Sequence, residues 1–323
     1  MAETIAAVVV TYNRKNLLIE CLEALLSGSR LPDKIILIDN GSTDETPSLL
    51  QEKGYLKNPL IDYIRLPENT GGAGGFYEGV KQGYESGYDW LWLMDDDAEP
   101  KEDALEKLSE HLSEPNVSAL ANLKIDLEGK ILSTHLGFLN PNHKFDFESE
   151  IFNQVDNTKI NHFKITEIAF TSFVGVLVSR KAIEQIGFPK KELFIHFDDI
   201  EYCLRLMSAG RILAVTDSIM LHKEAASQRA IPKRFLWKTL YRPAYDKLWL
   251  SYYGTRNLVW LRKVNRNWIE FYTKLIKNYF RSILAILLFD DNKLKRIRFL
   301  TEAYRDGIKG NFDNLKPKGL LYG

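Results

Sequence analysis

Trp90-Leu91-Trp92-Leu93-Met94-Asp95-Asp96-Asp97-Ala98-Glu99-Pro100 is the stretch that decides how this chain is read. Five apolar residues run into three carboxylates, and a proline then stops the segment. Such a run, bounded by a turn signal, reads as a fully buried strand. Open α/β sheets bind their ligands at the carboxyl ends of strands like this one. Three adjacent carboxylates repel one another unless a cation neutralises them, and oxygen donors suit a hard ion such as Mg2+ or Mn2+. Side chains alternate along an extended chain, so Asp95 and Asp97 can face one ion while Asp96 faces elsewhere. The competing reading is an acidic surface loop that caps a helix beginning near Lys101.

Upstream, residues 5–10 are a further apolar run rich in β-branched residues and read as a strand, and residues 34–38 and 61–66 read as the second and third strands. Leu17, Leu18, Cys21, Leu22, Leu25 and Leu26 recur at helical spacing between the first two. Thr43 can cap a second helix, and residues 69–75 open a third that runs to about Glu85. Four alternations predict an α/β fold with a doubly wound, mostly parallel sheet. Right-handed crossovers then gather loops 11–14, 39–42, 69–75 and 95–97 on one rim. A dinucleotide-binding glycine fingerprint would follow the first strand. Here the glycines follow the third, so they are expected to admit a sugar or diphosphate close to the backbone.

The second half carries fewer signals. Residues 124–165 are polar and expected to be irregular, with Asn140-Pro141-Asn142-His143 as a turn. Residues 170–179 resume as a strand with Gly175 inside it, a mark of a close backbone approach or a bulge. In Phe194-Ile195-His196-Phe197-Asp198-Asp199-Ile200-Glu201, Asp198 and Glu201 have the spacing of a capping box. Asp198, partly desolvated by Phe194 and Phe197, can equally serve as a general base. His222 follows a short apolar run, 219–221, and is a candidate third ligand beside Asp95 and Asp97. His111, His135, His143 and His162 have no motif around them.

Hydrophobic content of 45% and charged content of 27% suit a globular protein. Cys21 and Cys203 both lie in apolar helical patterns and read as buried thiols. No signal peptide is expected at the N-terminus, and no run reaches the ~18 apolar residues of a membrane span. The net charge of zero hides an asymmetry: from Arg229 onward there are 21 Lys plus Arg against 7 Asp plus Glu. This divides the chain into a catalytic part, 1–225, and a basic, aromatic, helical part, 226–323. The first part splits further into halves of about 1–123 and about 124–225. In the tail, Trp237, Tyr241, Tyr245 and Leu248 fall at roughly helical spacing. Charge alone fits a membrane surface or nucleic acid; the aromatic content points to an anionic membrane surface and not to nucleic acid.

Taken together, five stretches resemble the inverting nucleotide-sugar glycosyltransferases of the GT-A fold, family 2. They are Val8-Val9-Val10-Thr11-Tyr12-Asn13-Arg14, Ile38-Asp39-Asn40-Gly41-Ser42-Thr43-Asp44, Asn69-Thr70-Gly71-Gly72-Ala73-Gly74-Gly75, Asp95-Asp96-Asp97, and Phe197-Asp198-Asp199-Ile200-Glu201 with His222. They cover roughly residues 5–222, and within the family they look most like bacterial galactofuranosyltransferases. The resemblance implies a UDP-sugar donor, with Thr11, Asn13, Arg14 and Asp39 on uridine. Asn69, Gly71, Gly72, Gly74 and Asp96 would lie near the ribose or donor sugar. Asp95, Asp97 and His222 would hold Mn2+ or Mg2+. Asp198 would be the base, Asp199 the runner-up, and Trp90, Phe173, His196 and Phe197 would meet the acceptor. The donor implied is UDP-galactofuranose, with dTDP-rhamnose as the alternative. The acceptor implied is a lipid-linked glycan of bacterial surface-polysaccharide synthesis, met by a cytoplasmic enzyme peripheral at the inner face of the plasma membrane. Homo-oligomerisation stays open. The rival classes are a non-catalytic sugar-nucleotide-binding or scaffold protein and a nucleotidyltransferase.

Overall fold

A computed structural model describes residues 3–137, 164–223, 230–265 and 267–322. The Asn140-Pro141-Asn142-His143 turn and His162 lie outside them. The chain forms two compact units: Met1–Lys191 with Asp198–Glu224, and Glu192–Phe197 with Ala225–Gly323.

The first unit begins with alternating strands and helices: β1 (Ile5–Thr11), α1 (Lys15–Leu26), β2 (Lys34–Asp39), α2 (Thr46–Glu52), β3 (Ile61–Arg65), α3 (Gly71–Glu85) and β4 (Trp90–Asp95). It continues through β5 (Ala98–Pro100), α4 (Ala104–Ser109), β6 (Val117–Ile125), β7 (Leu136–Gly137), β8 (Ile165–Ile168), β9 (Phe170–Thr171), β10 (Val176–Ser179), α5 (Arg180–Ile186), α6 (Asp198–Ala209) and β11 (Arg211–His222). The main sheet has the order β3-β2-β1-β4-β10-β6-β11-β5, with β8 also paired to β11. The first four strands are parallel, as the sequence pattern predicts. Beyond β4 the sheet becomes mixed, because β10 runs antiparallel to both β4 and β6.

Register places the rim. Thr11 pairs with Asp39 and Val10 with Asp95, so three strands end level and release their loops side by side. Alternation splits β1 between two layers. Ala7 and Val9 join Trp92, Met94, Leu18, Leu22 and Leu25 in the larger core, where each fully buried side chain of this size contributes about 1.5–3 kcal/mol. Val8 and Val10 face α3 instead. There Gly75, Gly79 and Gly83 recur every fourth residue, and a Cβ on each would stand 2.3–2.4 Å from Val10, Val8 and Leu91. Of the glycine run itself, Gly75 is therefore spent seating α3 flush on the sheet. Gly74 is filled by Thr70, and Gly72 meets open space.

Two readings of the second half change. Residues 170–179 are not one strand: β9 and β10 are separated at Gly175, whose φ of 77° brings it against the side chains of Asn122 and Met220. The short run before His222 belongs to a twelve-residue strand, bent by a register shift between Val215 and Ile219. A buried polar chain crosses this region: Trp92 Nε1 donates to Asn122 (2.9 Å), Asn122 to Ser218 (2.6 Å), and Ser218 to the Ala104 carbonyl (2.7 Å).

The second unit holds β12 (Ala230–Phe235), β13 (Lys238–Pro243), α7 (Leu248–Asn265), α8 (Trp268–Phe289), α9 (Lys293–Lys309) and α10 (Lys316–Tyr322). Its start is a hairpin where helix was expected. Phe235 pairs with Lys238, so the turn is the two residues Leu236 and Trp237, and Tyr241 sits on a strand. Aromatic spacing of four suits a helix face, but a tight turn inside the run resets the period. Helices α7, α9 and α10 pack around Leu248, Tyr252, Phe299, Ala303 and Leu321. Cys21 and Cys203, both in the first unit, are buried free thiols.

Candidate active site

Asp39, at the end of β2, is fully buried and fully bonded. It accepts from the Ser42 backbone N–H (2.8 Å) and the Tyr63 hydroxyl (2.6 Å), with Arg65 Nε at 3.7 Å. Burial, and then the Asp39 carboxylate, hold the Tyr63 phenol well above its ordinary range. Tyr63 and Arg65 were not marked by any motif. They follow from strand pairing, since β3 sets Arg65 beside Asp39. Asn13 and Asn69, expected at the nucleotide, are committed to the loops. Asn13 (φ 54°) accepts from Thr43 N (2.7 Å) and Asp44 N (3.2 Å), and Asn69 accepts from Gly71 N (2.8 Å). Asn40, next to Asp39, clasps the same glycine loop through the Gly71 carbonyl and Thr70.

The acidic loop lies beside β1. Thr11 donates its hydroxyl to Asp96 (2.6 Å). Arg14, expected on uridine, is instead the counter-ion of the loop, 2.6 Å from Asp96 and 2.8 Å from Asp97. Like charges one and two residues apart demand a nearby cation, and Arg14 supplies one. Burial pushes Asp96 up to about 7, against the pull of Arg14. Burial and then Asp97 push Asp95 up to about 6. Across the rim, Nε2 of His222 stands 3.3 Å from Oδ1 of Asp97. His135, which no motif singled out, packs edge-on against His222 with ring centroids 4.9 Å apart, and its Nδ1 meets Ser172 Oγ at 2.8 Å. Burial, and then His222, hold the His135 ring down to about 3, so it is neutral.

Asp97 and His222 thus meet as expected, but the full trio does not close. Among the described residues, no three His, Cys, Asp or Glu side chains come together as a metal cage. The donors themselves fit a divalent ion: carboxylate oxygens, one imidazole, and a buried His222 Nδ1 without a hydrogen-bond partner.

Asp198 and Asp199 open α6. Asp198 is 8% exposed, whereas Asp199 is more open. Burial and then Asp199 raise Asp198 well above the ordinary carboxylate range. Burial raises Asp199 to about 6, against the Ile200 N–H it accepts at 2.7 Å. The Asp95 charge acts on both. Lys124 is completely buried, bonded to Thr171 Oγ1 (2.5 Å) and the Gly175 carbonyl (3.3 Å), and its charge favours ionised Asp199. Glu201 does not form a capping box; Arg205 takes both its oxygens, at 2.7 and 3.0 Å.

Of the four residues expected at the acceptor, Trp90 is elsewhere. Trp90 begins β4, at the opposite end from the rim, and donates its indole N–H to Glu3. Phe173 is buried, with Phe76 at 4.6 Å and Tyr202 at 5.8 Å. His196 and Phe197 belong to the Glu192–Phe197 segment of the second unit. There Phe194, His196 and Phe197 all have φ between 65° and 69°, a strained conformation for side chains larger than glycine. Fully buried Asn257 of α7 holds this segment: its Nδ2 donates to the carbonyls of Leu193 (2.9 Å), Ile195 (3.0 Å) and His196 (2.8 Å). Arg256 adds bonds to the carbonyls of Glu192 and Leu193.

A parallel half-sheet that delivers an acidic loop to its carboxyl rim, extended by antiparallel strands and followed by a helical region, defines a glycosyltransferase fold of the GT-A type. The chain belongs to glycosyl transferase family 2, whose model matches residues 6–187. It is 29% identical over 210 residues to galactofuranosyltransferase GlfT1 of Mycolicibacterium smegmatis, covering 64% of this chain and 67% of that one. It is 24% identical over 324 residues to dTDP-rhamnosyl transferase RfbF of Shigella flexneri, covering 96% and 97%. The solved structure of GalNAc-T7 with UDP, GalNAc and Mn2+ superposes with a TM-score of 0.56 at 14% identity, over 99% of this chain and 58% of that one. The chain thus spans about two thirds of GlfT1 and less of that larger solved protein.

Proposed function

We propose that this protein transfers galactofuranose, with inversion, from UDP-galactofuranose to a hydroxyl of a lipid-linked glycan at the inner face of a bacterial plasma membrane. The observation that carries the proposal is the meeting of Asp97 with His222 at the strand rim, within reach of the charge felt by Asp198 and Asp199. Tyr63, Arg65 and Asp39 form the base of a uridine site, and Gly72 of the glycine loop is open to a ligand. A Mn2+ or Mg2+ ion held by Asp95, Asp97 and His222 would neutralise the diphosphate leaving group. Arg14 balances the carboxylates of the same loop and keeps Asp96 turned to Thr11.

The acceptor hydroxyl needs a base. The sequence favours Asp198, but burial and the neighbouring Asp199 hold its carboxyl well above the ordinary range, and it is the more covered of the two. Asp199, more accessible and near 6, is the better proton acceptor of the pair. Rhamnose transfer from dTDP-rhamnose is the second reading, favoured by the match to RfbF along nearly the whole chain. Incubation with UDP-galactofuranose, UDP-galactopyranose and dTDP-rhamnose separates the two. Selective UDP release from the first, with the β-linked furanoside as product, supports the proposal; selective dTDP release refutes it.

A further inference from the structure

The second unit carries an apolar surface that its own fold leaves uncovered. Helix α8 buries Phe271 and Ile286 on one side. On another it exposes Ile269, Tyr272, Ile276, Phe280 and Leu284, each 45–63% accessible, while Trp268 is exposed at the helix start. At 100° per residue, Ile269, Tyr272, Ile276, Phe280 and Leu284 fall on one arc of about 120°. Exposed Lys277 and Arg281 follow along one edge of that arc. Beside it, between α8 and α9, lies a cavity of about 390 Å³ walled by Leu275, Ile276, Tyr279 and Phe280. Arg305 and Lys309 of α9, both exposed, also line it. Contiguous exposed apolar surface of this kind marks an interaction site.

We infer that α8 lies in the surface of an anionic lipid bilayer, apolar arc inward, with one lipid hydrocarbon chain in the α8–α9 cavity and its anionic head toward Arg305 and Lys309. Charge selects this occupant. Residues 229–323 hold 21 Lys plus Arg against 7 Asp plus Glu, a balance that repels a second copy of the same surface and attracts acidic headgroups. A free polyanion would not use the apolar arc. Trp268 and Tyr272 on the helix suit the depth at which apolar and polar layers meet. No described helix is long and apolar enough to cross a membrane, so the helix lies along the surface. This deepens the membrane part of the proposed function by naming the element that docks. It is independent of the chemistry, because lipid binding is read without donor or acceptor.

The test uses the full-length protein and two vesicle types: phosphatidylcholine alone, and an equal mixture with phosphatidylglycerol. Flotation should recover the protein with the mixed vesicles only, less so at high salt. Ile276→Asp with Phe280→Asp should weaken that binding at least about tenfold, while circular dichroism and UDP release stay unchanged. Lys277→Glu with Arg281→Glu should abolish the preference for the acidic vesicles. Phosphatidylglycerol with a photoreactive acyl chain should label peptides spanning Leu275 and Ile308. The inference is overturned if the double aspartate variant floats like wild type, or if labelling avoids both helices. It is equally overturned if sedimentation shows a dimer that Phe280→Asp dissociates and that never binds vesicles.

Discussion

Nε2 of His222, the last residue of β11, lies 3.3 Å from Oδ1 of Asp97, the last carboxylate after β4. Strand β5 pairs antiparallel with β11 and sets Ala98 opposite His222, so Asp97, the residue before Ala98, is brought to the imidazole by strand pairing. His222→Asn should lower Mn2+ affinity by at least about tenfold, measured by electron paramagnetic resonance titration of free Mn2+. An unchanged titration would remove His222 from the ligand set.

For the base, Asp199→Asn should cut transfer about 10²–10⁴-fold with UDP affinity retained. Asp198→Asn should cost less, because its carboxyl is the more covered of the pair. Single-turnover transfer beside UDP calorimetry reads both quantities, and the reverse order of losses would restore Asp198 as the base.

Lys124 links pH to stability. Burial holds its ammonium down to about 7, against 10.5 for an ordinary lysine. Between those values the unfolded chain binds more protons, so the Lys124 contribution to stability rises with pH through that window and is least below it. Lys124→Met should flatten this rise and stabilise the protein near neutrality by roughly 1–3 kcal/mol. The acid limb of the pH–rate profile should also move to higher pH, since Lys124 no longer favours ionised Asp199. Urea titrations across the window, and the rate profile, check the two halves separately.

Gly79→Ala and Gly72→Ala should behave oppositely. The first forces a methyl to 2.3 Å from Val8 and should cost about 1–3 kcal/mol without altering donor KM. The second meets open space and should leave stability unchanged while raising donor KM. Equal effects would mean that the two glycines share a role.

The readable part of the fold was the part built from continuous apolar runs. β1, β2 and β4 are buried strands, β3 is a partly exposed edge strand, and their order follows from right-handed crossovers. β10, β6 and β11 were harder, because Gly175 breaks one run and β6 sits in a stretch whose polar residues, Asn122 and Lys124, are buried by partners far along the chain. The site divides the same way. Asp95 to Asp97, Asp198, Asp199 and His222 stand at element ends, where local pattern exposes them. Tyr63, Arg65 and His135 owe their places to strand register and tertiary packing, and Trp90 and Phe173 carried aromatic chemistry but no positional signal.

Asn257→Ala should remove the side-chain donor shared by the carbonyls of Leu193, Ile195 and His196, of which Leu193 keeps its bond from Arg256, and cost about 1–3 kcal/mol. Because Phe197 leads directly into Asp198, transfer should fall more than UDP affinity does. Calorimetry beside single-turnover rates tests this, and parallel losses would mean that the clasp serves stability alone.

The same clasp dictates an order of events on the ribosome. Leu193 leaves the exit tunnel 64 residues before Asn257, the side chain that fastens it. The sheet and its acidic loop can form while the chain is still being made, since domains fold from the N-terminus as they emerge. The strained turn ahead of Asp198 must wait for α7. A nascent chain that already holds every carboxylate of the rim therefore still lacks the side chain that fastens the segment running into Asp198.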